Sequence, residues 1–151
     1  MKVFLGADHR GFEAKESLKE FLSTEGYEVE DKGAHEYDAA DDYPDFAYPV
    51  AKAVAADKNA RGILLCGSGM GMDVVANKVK GVRATVGYSE ESVIHARAHD
   101  DINVITFASN DLSEEDIKAF AKKFLETPLD PHERHQRRLD KVAAIEHESF
   151  C

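Results

Sequence analysis

A short strand that ends in a cysteine and a glycine-rich turn constrains this chain more than any other segment. Residues 62–66 form an apolar run that ends at Cys66. The glycines that follow stand at alternate positions: Gly67, Gly69 and Gly71. A short apolar run of this kind is typical of a strand buried on both faces in a parallel sheet, and residues 73–79 have the pattern of a helix. The segment therefore predicts a strand–loop–helix unit.

The glycine-rich loop has the composition of an anion-binding site. Glycines let the backbone turn sharply and approach a ligand closely. The following helix points free N–H groups and about half a positive charge toward the loop, which favours a thiolate over a thiol. Cys66 is then a candidate base or nucleophile beside a cradle for an oxyanion or a phosphate. Residue type alone favours a buried structural cysteine at Cys66, and its place at the end of the strand before three glycines makes the two interpretations about equal.

The spacing of the loop differs from two common nucleotide-binding motifs. No Gly-Lys-Ser/Thr closes it, so it is not a Walker loop. The spacing G-x-G-x-G also differs from the dinucleotide motif G-x-G-x-x-G, and the next predicted strand, residues 82–86, does not end in an acidic residue that would hold a ribose. Nicotinamide binding is therefore disfavoured.

The bulk properties narrow the class of protein. A chain of 151 residues suits a single domain, and a net charge of −10 argues against nucleic acid or an anionic membrane as a partner. No apolar run approaches the roughly 20 residues of a membrane helix, and the N-terminal segment lacks the pattern of a signal peptide. Cys66 and Cys151 do not make a disulfide framework, and no common metal-binding spacing is present. We expect a cytoplasmic protein.

A strand followed by a helix recurs five times along the chain. The predicted strands occupy residues 2–7, 27–31, 62–66, 82–86 and 103–107, and the predicted helices begin near residues 12, 43, 73, 89 and 113. This pattern predicts an α/β, three-layer Rossmann-like fold with a five-stranded parallel sheet and helices on both faces. Ligands in such folds bind beyond the carboxyl ends of the strands, where Asp8, His9, Cys66 and the loop after Val86 fall.

The C-terminal segment differs from this doubly wound core, for which we predict residues 1–126 of a single domain spanning 1–151. Residues 127–151 form a tail whose helix carries Leu139, Val142 and Ile145, and we expect it at a dimer interface. Arg134 and Arg138 are one helical turn apart and point the same way, as a pair of phosphate ligands would. A solvated face is the ordinary alternative.

Six segments resemble those of the ribose-5-phosphate isomerase B and galactose-6-phosphate isomerase family. They are GADHRGF at residues 6–12, DYPD at 42–45, GILLCGSGMG at 62–71, ANKVKGVRA at 76–84, ARAH at 96–99 and RHQRR at 134–138. They span nearly the whole chain in the order of the family. The resemblance implies aldose–ketose isomerisation of a sugar phosphate with no metal or cofactor, in a homodimer that sometimes pairs into a tetramer.

The resemblance also implies catalytic roles. Cys66 is the base that moves a proton between C1 and C2, and His99 with Asp8 opens the sugar ring. The backbone of Gly67, Gly69, Met70 and Gly71 holds the enediolate, and Ser68 assists. Such chemistry needs a base with a suitable pKa, a preorganised anion site and a group that exchanges protons near neutrality. Without the resemblance, Asp8 is an ordinary helix cap and His99 an ordinary helix-end histidine.

Substrate binding is implied for a second set of residues. Tyr43, which would otherwise belong to the core, lines the pocket. His9, Arg134 and Arg138 hold the phosphate, partly across the dimer interface, so that the site is shared between subunits. The remaining histidines are expected at the surface: His35, His95, His132 and His147.

Two positions differ from the family pattern and leave the sugar open. Asp100 follows His99 where the family has an amide, and an ionised carboxylate only accepts hydrogen bonds. Asn110 stands where the family has an arginine, so a positive charge is missing. The first hypothesis is an isomerase of ribose 5-phosphate, and the alternative is an isomerase or epimerase of another pentose or hexose phosphate. A non-catalytic sugar-phosphate-binding module is the alternative of another class, and thiol redox chemistry is disfavoured because no second cysteine neighbours Cys66.

Overall fold

The computed structural model describes residues 1–150, and Cys151 lies outside the described residues. The strands are β1 (Lys2–Ala7), β2 (Glu28–Asp31), β3 (Arg61–Cys66), β4 (Ala84–Val86) and β5 (Val104–Ala108). The helices are α1 (Phe12–Thr24), α2 (Pro44–Ala56), α3 (Met70–Ala76), α4 (Glu90–Asp100), α5 (Glu114–Glu126) and α6 (Glu133–Ser149). The strand order is β2-β1-β3-β5-β4, and every pair is parallel, which confirms the predicted fold class.

The sheet is buried on both faces because successive side chains of a strand point to opposite sides. On β3, Ile63 and Leu65 join a core formed with α1, α4 and α5. Leu64 and Cys66 belong to the opposite core, formed with α2 and α3. Each large apolar side chain that is fully buried contributes roughly 1.5–3 kcal/mol to stability. The two cores fix the end of β3, and with it the position of Cys66.

One helix start differs from the sequence prediction. Helix α3 begins at Met70 rather than near residue 73, because Gly69 adopts a left-handed conformation with φ 74° and serves directly as the N-cap. The Asn77 side chain bonds Asp73 and Ala84 backbone oxygens at 3.1 and 3.0 Å, which ends the helix early. Helix α2 begins at Pro44, next to the predicted position, and its N-cap Tyr43 makes no side-chain cap.

Helix α4 runs antiparallel to the strands, which decides where its functional residues lie. Its last turn holds His99 and leads into β5, whose amino end is at Val104. Cys66, at the carboxyl end of β3, pairs with Ala108 at the carboxyl end of β5. In one chain, His99 therefore lies toward the amino ends of the strands, and Cys66 lies at their carboxyl ends.

Helix α6 covers the amino ends of the strands only in part. Glu146 accepts a hydrogen bond from the Gly81 backbone N–H at 2.6 Å, near the far end of α6. The side chains of Val142 and Ile145 remain 47% and 64% exposed in the single chain. Among residues 1–150, no helix combines the length and the apolar character needed to cross a membrane.

Candidate active site

A cavity of about 260 Å³ opens beside the end of β3. Its lining comes from the ends of β1 and β3, from the loops after β3 and β5, and from the start of α2: Asp8, Arg10, Tyr43, Cys66, Gly67, Ser68, Gly71 and Asn110. The chain turns from β1 to one side of the sheet and from β3 to the other, so the cavity lies at the topological switch point. Five residues with predicted side-chain roles at the site meet here: Asp8, Tyr43, Cys66, Ser68 and Asn110.

The Cys66 thiol is 95% buried and faces the turn that follows it. The Gly69 backbone N–H points at Cys66 Sγ with an N···S distance of 3.1 Å. An N–H donor stabilises a thiolate more strongly than a thiol, because the charged acceptor makes the stronger hydrogen bond. The Met70 N–H is directed to Ser68 Oγ at 3.3 Å. Two of the amides expected to hold an enediolate are thus directed at side-chain atoms within the loop, Cys66 Sγ and Ser68 Oγ.

The wall opposite Cys66 is formed by Tyr43. A Cβ at Gly71 would lie 2.8 Å from Tyr43 Cζ, so the ring position requires glycine there. Tyr43 is 40% exposed, which places it at the cavity mouth rather than in the core.

Asp8 and Arg10 bring opposite charges to the cavity. Asp8 is 94% buried, and its Oδ1 accepts the N–H groups of Arg10 and Gly11 at 3.0 and 3.2 Å. These hydrogen bonds stabilise the turn before α1, and both of them use the same carboxylate oxygen of Asp8. Arg10 and Asn110 lie side by side over Gly67, where a Cβ in place of the glycine hydrogen would be 2.7 Å from Arg10 Cδ and 2.9 Å from Asn110 Nδ2. Arg10 therefore provides a cation next to Asn110, which stands where the family pattern has an arginine.

His9 is held by an aspartate that no sequence motif singles out. Asp41 Oδ1 accepts the His9 backbone N–H at 3.0 Å and lies 2.7 Å from His9 Nδ1. Within residues 1–150 the Asp41 Oδ2 atom is buried and has no hydrogen-bond partner. The pair fixes the His9 ring through Nδ1 and leaves Nε2 for another partner. The segment 32–42 has no periodic pattern, so only its run of aspartates points to a side chain of this kind.

His99 belongs to a different group, which we call the histidine cluster: His95, His99, Asp130, His132 and His135. The His99 ring stacks on His135 with centroids 4.2 Å apart, and its Nδ1 lies 3.2 Å from His95 Nδ1. Hydrogen bonds from His132 lower the pKa of Asp130 to about 2. His95 and His132 are exposed as predicted, and the structure adds that they contact this cluster. His99 does not reach Cys66 in the same chain.

Arg134, Arg138 and Asp100 accompany the histidine cluster rather than the Cys66 cavity. Both arginines are exposed on α6, and Arg134 Nε donates to His135 Nε2 at 3.3 Å. Asp100 is exposed at the end of α4. The residues predicted to form one site thus fall into two groups within a single chain.

A larger depression of about 460 Å³ runs along α4 from Ser89 to Asp100. It is lined by hydroxyl, carboxylate and aromatic side chains that include Tyr88, Glu91 and His95. It has no loop of glycines and no thiol. The chemistry needed for proton transfer beside an anion site favours the smaller cavity at Cys66.

Comparison with known proteins points to one family. A family model described as Ribose/Galactose Isomerase matches residues 3–142. Ribose-5-phosphate isomerase B of Mycobacterium tuberculosis (strain ATCC 25618 / H37Rv) is 40% identical over 146 residues, which cover 97% of this chain and 90% of that protein.

Solved structures agree over the same length. The crystal structure of ribose-5-phosphate isomerase B from Mycoplasma genitalium with bound ribulose-5-phosphate is 39% identical, with a TM-score of 0.94 and 97% of each chain covered. Ribose-5-phosphate isomerase B of Clostridium thermocellum is 34% identical, with a TM-score of 0.93 and 99% of each chain covered.

Proposed function

Since this chain belongs to the ribose/galactose isomerase family, we propose that it interconverts ribose 5-phosphate and ribulose 5-phosphate. It is an aldose–ketose isomerase of sugar phosphates, as the family and its full-length relatives are. The particular sugar is supported by the names of the relatives and by the ribulose-5-phosphate bound to the Mycoplasma genitalium enzyme. Within this chain, the carrying observation is the cavity in which a buried thiol, a glycine-rich turn and a carboxylate meet.

In the proposed reaction, the Cys66 thiolate takes the proton from C2 of the open-chain aldose and returns it to C1. The Gly69 N–H that points at Sγ stabilises the thiolate before the proton is taken. The enediolate that forms lies against the loop of residues 67–71, where backbone N–H groups and Ser68 offset the developing charge. Burial of Cys66 and the wall made by Tyr43 limit water, which would otherwise compete for the proton.

The proposed ring-opening step requires a second copy of the chain. His99 gives and takes protons at the ring oxygen and the C1 hydroxyl, but it lies toward the edge of the sheet opposite Cys66. A two-fold dimer brings the tail and the end of α4 of one chain to the cavity of the other. Arg134 and Arg138 arrive with His99 and hold the phosphate together with His9. The exposed Val142 and Ile145 on α6 give this interface an apolar contact surface.

A second candidate function is isomerisation of another pentose or hexose phosphate. It is favoured by Asn110, which lies in the cavity and lacks the positive charge of the family pattern. The neighbouring Arg10 supplies a cation from β1's side of the cavity instead, so the anion-binding groups are arranged differently. A shifted cation suits a sugar of different length or a different pose of the same sugar.

A panel of pentose and hexose phosphates tests both functions. We expect the highest kcat/KM for ribose 5-phosphate and uptake of solvent deuterium at C1 or C2 of the product. Faster turnover of a hexose phosphate would replace the first proposal by the second. Binding of sugar phosphates without turnover or deuterium exchange in any of them would contradict both.

A further inference from the structure

The histidine cluster holds three potential metal ligands that the isomerase reaction does not need together. We propose that His99, Asp130 and His135 form a binding site for a divalent transition-metal ion such as Zn²⁺, and that metal bound there inhibits the enzyme. One atom from each residue can be chosen so that all three lie within 4.8 Å of one another. The inhibition rests on the proposed function, whereas the metal site rests on geometry alone.

The separations are close to those of a tetrahedral site. Zn²⁺ lies about 2.0–2.1 Å from histidine nitrogens and carboxylate oxygens, so two tetrahedral ligand atoms are about 3.3 Å apart. Asp130 Oδ2 is 3.5 Å from His135 Nε2 and 3.9 Å from His99 Nε2. The His99 and His135 rings are stacked with an angle of 7° between their planes, so the two side chains must rotate and open the stack before both lone pairs point at one ion. Solvent or a substrate oxygen completes the fourth position.

Neighbouring groups already orient these ligands, as outer partners do in known metal sites. Asp130 Oδ1 accepts the backbone N–H of His132 at 3.0 Å and contacts its Nδ1, so Oδ2 is the oxygen that faces the cluster. The Asp130 backbone N–H bonds Ala98 O at 2.8 Å and ties the connector to α4. His99 Nδ1 faces His95 Nδ1, which leaves Nε2 directed to Asp130.

The charges around the three ligands also bear on how a cation would bind. Asp130 is a carboxylate at neutral pH, since hydrogen bonds from His132 lower its pKa to about 2. Burial, with the nearby His99, Arg134 and Arg138 charges, lowers the pKa of His135, while Asp130 opposes that shift. His135 Nε2 accepts a hydrogen bond from Arg134 at 3.3 Å, and a metal ion bound at this nitrogen would displace that bond. The two arginines repel a cation, which weakens the site without changing its ligands.

The donor set selects the metal. Two imidazoles and one carboxylate suit Zn²⁺, Co²⁺, Ni²⁺ and Cu²⁺, whereas Mg²⁺ prefers an all-oxygen octahedral shell. Coordination through Nε2 occupies the lone pair that His99 uses in proton transfer. Isomerisation should therefore slow when the site fills, and millimolar Mg²⁺ should neither bind nor relieve the effect.

The binding experiment uses the full-length protein, stripped of metal with a chelator, in which both cysteines are replaced (Cys66→Ala, Cys151→Ala) because thiolates also bind Zn²⁺. Isothermal titration with Zn²⁺ and absorption spectra with Co²⁺ should give one ion per chain with tetrahedral, thiolate-free bands. Asp130→Asn and His135→Gln should each weaken binding at least tenfold, and acidification below pH 6.5 should weaken it further. His147→Gln is the matched control on the same helix and should bind as the parent does.

The inhibition experiment uses the cysteine-containing enzyme in a metal-buffered assay, each variant compared with its own metal-free rate. We expect Zn²⁺ to inhibit the wild type and the His147→Gln variant at concentrations at least tenfold lower than Asp130→Asn. Equal binding by the parent and Asp130→Asn in the titration would overturn the metal site. Equal inhibition of wild type and Asp130→Asn would assign inhibition to Cys66 instead. Metal binding that requires Asp130 and His135 without any inhibition would leave the site standing and contradict the proposed role of His99.

Discussion

Two aspartate–histidine pairs with the same local geometry lie in the two functional regions of this chain. In the Cys66 region, Asp41 Oδ1 accepts the backbone N–H of His9 and contacts its Nδ1. In the histidine cluster, Asp130 Oδ1 makes the same two contacts with His132. The second carboxylate oxygen differs: within residues 1–150 it is buried without a partner at Asp41, and it faces two further imidazoles at Asp130.

The two pairs make the same contacts in different surroundings, although Asp130 is two residues from its histidine and Asp41 is 32 residues from His9. Asp41 holds His9, which stands in the chain between Asp8 and Arg10, two residues that line the Cys66 cavity. Asp130 lies in the connector before α6, and its backbone N–H donates to Ala98 O of α4. Its Oδ2 faces two other histidines, His99 and His135. The first region brings a thiol, a carboxylate and a glycine-rich turn together in one chain, whereas the second combines imidazoles, a carboxylate and an arginine without a thiol or a glycine-rich loop. Perturbing each region separately tests whether the two act as one site.

The largest effect is expected from Cys66→Ala in the cavity. Loss of the base should lower kcat by about 10²–10⁴-fold, since general-base catalysis contributes factors of this size. Steady-state kinetics with ribose 5-phosphate and a thermal unfolding curve measure activity and fold together. Asp73→Asn is the carboxylate control: burial raises the pKa of Asp73, with an opposing hydrogen bond from Asn77, which makes Asp73 the substitute base to consider. A Cys66→Ala enzyme with near-normal kcat, or loss of activity in Asp73→Asn alone, would contradict the assignment.

A mixed dimer of two inactive variants tests whether the regions cooperate across subunits. Cys66→Ala and His99→Asn carry their lesions in the cavity and in the cluster, respectively. If each active site combines the two regions of different chains, a mixed dimer has one site with both lesions and one with neither. Random reassortment makes half of the dimers mixed and should restore roughly a quarter of the wild-type sites.

The readout is turnover of the mixed dimers, which differently tagged chains allow to be isolated from both homodimers after co-refolding. The double variant Cys66→Ala/His99→Asn co-refolded with wild type is the matched control. Its mixed dimers carry one lesion in each site and should be inactive. Mixed dimers of the single variants that form but stay inactive would place the whole site within one chain.

The sequence predicted the fold and the Cys66 region far better than the cluster, for physical reasons. Short apolar runs alternating with amphipathic segments determine a parallel sheet, and parallel strands bring Asp8 and Cys66 to the same edge. The rule that parallel strands bring their carboxyl ends together does not place His99. Helix α4 runs antiparallel to the strands, so its last turn lies near their amino ends. The contacts of Asp41 and Asp130 with histidines were not predicted, because each aspartate lies in an irregular segment. The contact from Asp41 to His9 spans 32 residues, which no local pattern encodes.

An effect of intermediate size is expected for Arg10→Ala. If Arg10 replaces the cation that Asn110 lacks, its removal deletes a charge-assisted contact worth about 1.5–3 kcal/mol. We expect kcat/KM to fall about 10- to 100-fold, measured by steady-state kinetics. Arg10→Lys should recover part of the loss by keeping the charge, while Arg137→Ala, an exposed arginine on α6, serves as the control. Wild-type kinetics in Arg10→Ala would show that the guanidinium does not meet the substrate.

The smallest effect compares the two aspartate–histidine pairs directly. Asp41→Asn keeps the size of the side chain but loses the carboxylate that fixes His9, a hydrogen bond worth about 0.5–1.5 kcal/mol. Since 1.4 kcal/mol is a factor of ten, KM for the sugar phosphate should rise about three- to tenfold with kcat little changed. Asp130→Asn acts on His132, which has no proposed role in phosphate binding, so its KM in metal-free buffer should rise less. Asp45→Asn, an exposed carboxylate at the start of α2, controls for charge alone. A KM that rises equally in the Asp41 and Asp130 variants would mean that the two pairs only stabilise their turns, and unfolding curves would then show the common loss of stability.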